Sequence, residues 1–281
     1  MSHHGLQRAL IVALHDPAFC AAMRADPPAA LEPFDLSDAE RDQLVAVDPR
    51  AFGIDRLRRR RVLKAIVEEL RGSLAIALAE ARTFAFAEEF FSSPRFRAAV
   101  IEDRPLVLAL ADHVGDALAA GALTSPHLPG VLAIERAQAE ARRDRDRAPP
   151  PGLSLAPGVR LVAADSAALA ALQAAEHHLF ELSLLPHIAL CDDRPGLALP
   201  PREDARPLHL AVHASGGEVA LAELPEPLHR SLRALAGAAA RGPVGRADMP
   251  SVLAAVGLRV ADTDRLVDDV LADGYAVERS M

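Results

Sequence analysis

Glu176, His177, His178, His187, Cys191, Asp192 and Asp193 place soft and hard metal-ligand types within one short stretch. A zinc or iron centre needs such groups to converge, which fixed intervals along an element normally achieve. Adjacent histidines on a regular element point in different directions, and no pair here repeats at a known metal-ligand interval. The stretch therefore reads as surface and loop polar residues, and no metal site is expected. Asp262, Asp264, Asp268 and Asp269 lack the glycine and the terminal bidentate glutamate of a calcium loop. Glu68-Glu69 has no histidine at the spacing of a di-iron bundle. There is no P-loop, no dinucleotide-binding glycine fingerprint, no nucleophile elbow and no zinc-protease motif. Cys20 and Cys191 match no metal or redox spacing and read as inert thiols in a reducing cytoplasm. The expectation is a chain with no catalytic residues and no cofactor, whose work is binding.

The pattern that supports binding lies at 207–278. Leu208-His209-Leu210-Ala211-Val212 and Val219-Ala220-Leu221-Ala222-Glu223-Leu224 alternate apolar and other residues around Ser215-Gly216-Gly217. Alternation on both sides of a Gly-Gly turn predicts a β-hairpin. Three helices should follow. The first carries Leu228, Leu232 and Leu235 and stops at Gly242-Pro243. The second has Pro250 in its first turn, with Gly257 where a C-cap glycine belongs. The third runs from Asp262-Thr263 through Leu266, Val267, Val270 and Leu271 to Gly274. Tyr275-Ala276-Val277 closes this winged-helix-like module.

The rest of the chain must position that module. The protein has 281 residues, 51% of them hydrophobic, with no tryptophan, one tyrosine and a formal charge of −8. This length suggests two domains, and the alanine- and leucine-rich composition favours helices. No apolar run approaches the ~20 residues of a membrane span, and no signal peptide opens the sequence, so the chain is expected in the cytoplasm. A helix over 5–25 is interrupted at Asp16-Pro17 and stopped at Asp26-Pro27-Pro28. Ser37 and Glu40 fit a capping box. A long helix is predicted from Asp55 to Ala81, with Arg56, Arg58, Arg59, Arg60 and Arg61 crowding its N-terminal end. Cations are disfavoured at that end of a helix; the arginines read either as a solvated basic face or as a docking patch, with Arg58, Arg60 and Arg61 as candidates for contact with a partner. Phe84, Phe86, Phe90, Phe91 and Phe96 should centre the N-terminal core. Another helix is expected from Leu106 to Gly121, then a turn at 126–130. Arg142 to Gly152, alternating in charge and then proline-rich, reads as a linker. The expected fold is α+β: a helical domain over 1–145 and an α+β domain over 153–281 with a small antiparallel sheet.

Winged-helix modules often bind DNA, and a DNA-binding regulator is the alternative reading. From Pro207 to Met281 there are seven arginines and ten carboxylates, and the third helix carries Asp264, Asp268, Asp269 and Asp273 against Arg265. Phosphates would be repelled. A peptide added to the hairpin edge as an extra strand fits better. The candidate peptide-binding residues are Val219, Leu221 and Glu223 on the strand and Leu266, Val267, Val270 and Leu271 on the helix.

The strand Val219–Leu224 and the helix Asp264–Ala272 resemble the peptide-recognition element of ribosomal peptide natural-product pathways, the fold of the peptide chaperone in pyrroloquinoline quinone biosynthesis. The resemblance implies a leader peptide bound between the last sheet strand and the third helix. Arg61-Val62-Leu63-Lys64-Ala65-Ile66-Val67-Glu68-Glu69-Leu70, Glu89-Phe90-Phe91, Leu128-Pro129-Gly130-Val131-Leu132-Ala133-Ile134-Glu135 and Leu155-Ala156-Pro157-Gly158-Val159-Arg160-Leu161 are similar, in that order, to the partner proteins of multinuclear non-heme iron-dependent oxidative enzymes. This resemblance implies a non-catalytic subunit that forms a heterodimer with such an enzyme and presents a precursor peptide to it. The iron would belong to the enzyme.

Overall fold

The computed structural model describes residues 3–53, 56–182, 196–259, 261 and 263–280. It is an α+β protein with fourteen α-helices among the described residues, a three-stranded antiparallel sheet and a separate two-stranded pair. Among those residues no helix is long and apolar enough to cross a membrane. The chain divides into two compact units, 1–129 with 172–199 and 130–171 with 200–281.

The first unit is helical: α1 (His4–His15), α2 (Pro17–Ala25), α3 (Pro27–Leu31), α4 (Asp38–Ala46), α5 (Arg56–Val67), α6 (Arg71–Ala81), α7 (Ala85–Glu89), α8 (Pro94–Glu102) and α9 (Leu106–Ala119). Proline sets three of its boundaries. Asp16 and Asp26 each accept a backbone N–H at the start of the next helix, and each is followed by proline in the first turn. Ser37 and Glu40 make the reciprocal capping box. Phe90, Phe91 and Phe96 are fully buried and meet edge-on or tilted at 5.2–5.6 Å, a geometry that aromatic quadrupoles favour.

The long helix expected over 55–81 is two helices. After Val67 the amides of Glu69 and Leu70 bond back to Ile66 and Val67, a tight turn that ends α5. Leu70, Leu74 and Ile76 are all essentially inaccessible. A straight continuation of the α5 stripe buries one face only, whereas the break lets α6 turn inward and bury nearly its whole first two turns.

The second unit is built on its sheet. After α10 (Leu128–Asp144) come β1 (Gly152–Leu155), β2 (Val159–Asp165), α11 (Ser166–Leu182, counted with the first unit from residue 172 on), β3 (Pro207–Ser215) and β4 (Glu218–Glu223). Then follow α12 (Glu226–Ala239), α13 (Met249–Ala254), α14 (Thr263–Ala272) and β5 (Ala276–Arg279). The hairpin is as expected: Gly216 and Gly217 carry φ of 58° and 95°, the left-handed pair that a two-residue turn between twisted strands requires. Sheet order is β2-β3-β4, antiparallel throughout. The 142–152 stretch is not simply a linker. Arg142 to Asp144 form the last turn of α10, and β1 starts at Gly152 and pairs with β5, Gly152 opposite Arg279 and Leu155 opposite Ala276. Gly152 has φ 87°, and a Cβ there would lie 2.6 Å from the Val244 carbonyl oxygen. Only glycine admits that approach.

Side chains alternate across a strand, so the sheet has two faces. Leu161, Ala211 and Leu224 share one of them and pack with Leu232 and Leu235 of α12, Leu253 of α13 and Val267 and Val270 of α14. The other face carries Leu208, Leu210, Val212 and Ala214 on β3, all buried.

Candidate peptide-binding edge

Among the described residues no strand pairs with the outer side of β4. Which of its backbone groups are open follows from one hydrogen bond. The Leu224 amide donates to the His209 carbonyl at 2.7 Å. In an antiparallel ladder, directly bonded pairs alternate with unbonded ones. The bonded partners are thus His209/Leu224, Ala211/Ala222, His213/Ala220 and Ser215/Glu218, in the observed register. Val219, Leu221 and Glu223 turn their N–H and C=O groups away from β3, toward the open edge.

The same parity relocates their side chains. Val219, Leu221 and Glu223 lie opposite Ala214, Val212 and Leu210, on the face away from α14. The residues of β4 that share a face with α14 are Ala220 and Ala222, flanking the core residue Leu224. The three strand candidates therefore come together at one edge, but as backbone donors and acceptors rather than as groove-lining side chains. Leu221 is 36% exposed and Val219 half-buried. Glu223 is exposed and held in a two-pronged fork by Arg206, at 2.5 and 2.9 Å. That fork keeps the Glu223 carboxyl below the usual carboxylate range. A charged pair at an open edge is also a recognised guard against unwanted strand pairing.

On α14 the four candidates separate into two pairs. Val267 is 0% and Val270 5% exposed, both in the core shared with α12 and α13. They do not line a surface groove, because a unit this small needs them to close its own interior. Asp at either position would bury an unpaired charge and test folding instead of binding. Leu266 and Leu271 are half-buried at the margins of that core and are the helix positions available to a ligand. The outer face of α14 is acidic, with Asp264, Asp268 and Asp269 exposed. Arg246 ties Asp268 to Glu278 of β5 at 2.7 and 3.0 Å. At the far end of α14, a Cβ on Gly274 would lie 3.9 Å from His213, whose ladder partner is Ala220.

Near the end of β4, the His209 ring meets His229 of α12 at a tilt, with ring centroids 4.9 Å apart. His229 is 2% exposed. Burial lowers its pKa from 6.5, and neighbouring His209 and Arg233 add to the effect, against a hydrogen bond to the Val162 backbone.

The arginine candidates lie in the first unit. Arg58 and Arg59 donate to the carbonyls of Leu14 and His15, the last two residues of α1. Their place at the wrong end of α5 is thus the right end of α1, where cations satisfy open carbonyls. Arg59 also lies over the Phe91 ring at 5.7 Å. Arg60 lies over Phe84 at 5.8 Å and faces Glu88 at 3.8 Å. Arg58 and Arg60 are therefore engaged within the chain, Arg58 half-buried and Arg60 exposed, and Arg61 is exposed beside them. In the metal-ligand stretch, Glu176 pairs with Arg71 at 2.8 Å. His177 is exposed and His178 half-buried, while His187, Cys191, Asp192 and Asp193 lie outside the described residues.

Two outcomes follow from these contacts. Arg59→Ala should lower stability to urea by about 1–2 kcal/mol, from lost capping and ring contact, whereas Arg61→Ala should stay within about 0.5 kcal/mol. His229 binds a proton less readily folded than unfolded, so its contribution is complete above pH 6.5 and is lost as pH falls below it. Urea denaturation across that range should show stability rising with pH toward 6.5, with a shallower slope in His229→Phe. Compared with family models, with curated proteins and with solved structures, the chain finds no match in any of the three.

Proposed function

We propose that the protein is a non-catalytic, cytoplasmic partner subunit of a multinuclear non-heme iron oxidative enzyme in ribosomal peptide natural-product biosynthesis. It takes the leader of a precursor peptide as an additional strand on β4 and presents the rest of that peptide to the enzyme. The observation that carries this reading is the open β4 edge, where Val219, Leu221 and Glu223 offer outward backbone groups beside Ala220, Ala222 and the margin of α14. The order of elements, a sheet followed by three helices, supports it through the resemblance drawn from the sequence.

Magnitudes divide the work. A backbone hydrogen bond contributes only about 1 kcal/mol net, so three outward residues give modest affinity. Selectivity must come from leader side chains, alternating between the Ala220–Ala222 side and the Val219–Leu221 side. The exposed aspartates of α14 weigh against the DNA-binding reading, since that helix would have to approach phosphates.

The test is a fluorescence titration of labelled precursor leader against the purified protein, alone and with the enzyme. Saturable binding is expected, and Leu221→Pro should weaken it by about fivefold or more. The Leu221 amide points away from β3, so proline there removes a donor for the incoming strand while sparing the hairpin ladder. The melting temperature should therefore change little. Absence of leader binding both with and without the enzyme sinks the proposal.

A further inference from the structure

The sheet has a second open edge, on β2. The Ala214 amide donates to the Gly158 carbonyl at 2.9 Å. By the observed register, Arg160, Val162 and Ala164 face β3, and Val159, Leu161 and Ala163 turn their backbone outward. Val159 is already closed off. Its N–H donates to Ala156 at 2.8 Å, and its carbonyl accepts Arg160 Nη1 at 2.7 Å. Leu161 and Ala163 continue the edge beyond it.

A groove of about 950 Å³ opens beside this edge, between α12 and the segment that follows α10. Two cations line it from opposite sides, Arg233 of α12 and Arg147, and neither makes an ion pair among the described residues. The carboxylate that lines it, Asp144, is bound by Arg160. We propose that this groove binds an extended acidic peptide segment, which adds to β2 as a strand and sets its carboxylates against Arg147 and Arg233. The edge calls for a peptide because outward carbonyls of Leu161 and Ala163 need N–H donors, which a phosphate backbone lacks. The arginines select an acidic one. This site is separate from β4 and does not depend on the function proposed above.

The probe is a dansylated peptide of alternating glutamate and valine, titrated into the full chain at low salt. A lysine–valine counterpart and a short oligothymidylate run alongside. Saturable binding of the acidic peptide is expected, weakened about tenfold or more by Arg147→Glu with Arg233→Glu. Gly237→Leu should also weaken it by filling the groove. A Cβ at Gly237 meets nothing nearer than Arg241 Nη1 at 3.8 Å, and leucine is the better helix former. Its melting temperature should therefore hold or rise, which separates lost binding from lost folding. Leu221→Pro should leave this binding unchanged. No saturable binding, equal binding of the lysine peptide, preference for the oligonucleotide, or undiminished binding in the charge and Gly237 variants would each overturn the proposal.

Discussion

The two-residue turn at Gly216–Gly217 sets which backbone groups of β4 point away from the sheet. With positive φ at both positions, it places Ser215 opposite Glu218 and fixes the hairpin register from there. A slip of one residue would exchange inward for outward at every position. It would turn Leu224 out of the core and bring Glu223 into it. Burial of Leu224 with Val267 and Leu232 therefore holds the register from the far end of the strand, while the glycines hold it at the turn. The outward direction of the Val219, Leu221 and Glu223 backbone follows from this double constraint, and the proposed binding role depends on it.

The same constraint divides the labour within the second unit. Alternation sends the side chains of Val219, Leu221 and Glu223 to one face and leaves small Ala220 and Ala222 on the face shared with α14. Val267 and Val270 close the interior, leaving Leu266 and Leu271 at its margin. An added strand on β4 thus finds backbone partners at the edge and a shallow apolar margin beside it. β5 contributes from outside this sheet. Its pairing with β1 anchors the chain end against Gly152, and the Arg246 bridge from Asp268 to Glu278 ties α14 to it.

Much of this was legible in the sequence, for local reasons. The Gly-Gly hairpin, the breaks at Asp16-Pro17 and Asp26-Pro27, the Ser37–Glu40 box and the C-cap at Gly257 rest on interactions within a few residues, and the structure has each of them. The phenylalanine cluster was readable because five large apolar rings fall within 84–96, and four of them are buried, with Phe86 half-buried. Features set by distant contacts were not readable. The break after Val67 depends on what α6 buries. The α5 arginines made sense only once Leu14 and His15 lay beside them. The Leu153-Ser154-Leu155 alternation was a strand signal hidden behind three prolines, and its partner Ala276–Arg279 lies more than a hundred residues away in sequence. At the candidate site the sequence placed Val219, Leu221 and Glu223 on one strand but not the direction of their backbone groups, since parity relative to β3 requires the register.

The most direct measurement is amide hydrogen exchange, resolved residue by residue by NMR, with and without saturating precursor leader. Val219, Leu221 and Glu223 should exchange rapidly in the free protein and become protected in the complex, while Ala220 and Ala222 stay protected throughout. Unchanged exchange at Val219, Leu221 and Glu223 in the saturated complex, or new protection confined to Leu161 and Ala163, would contradict strand addition at β4.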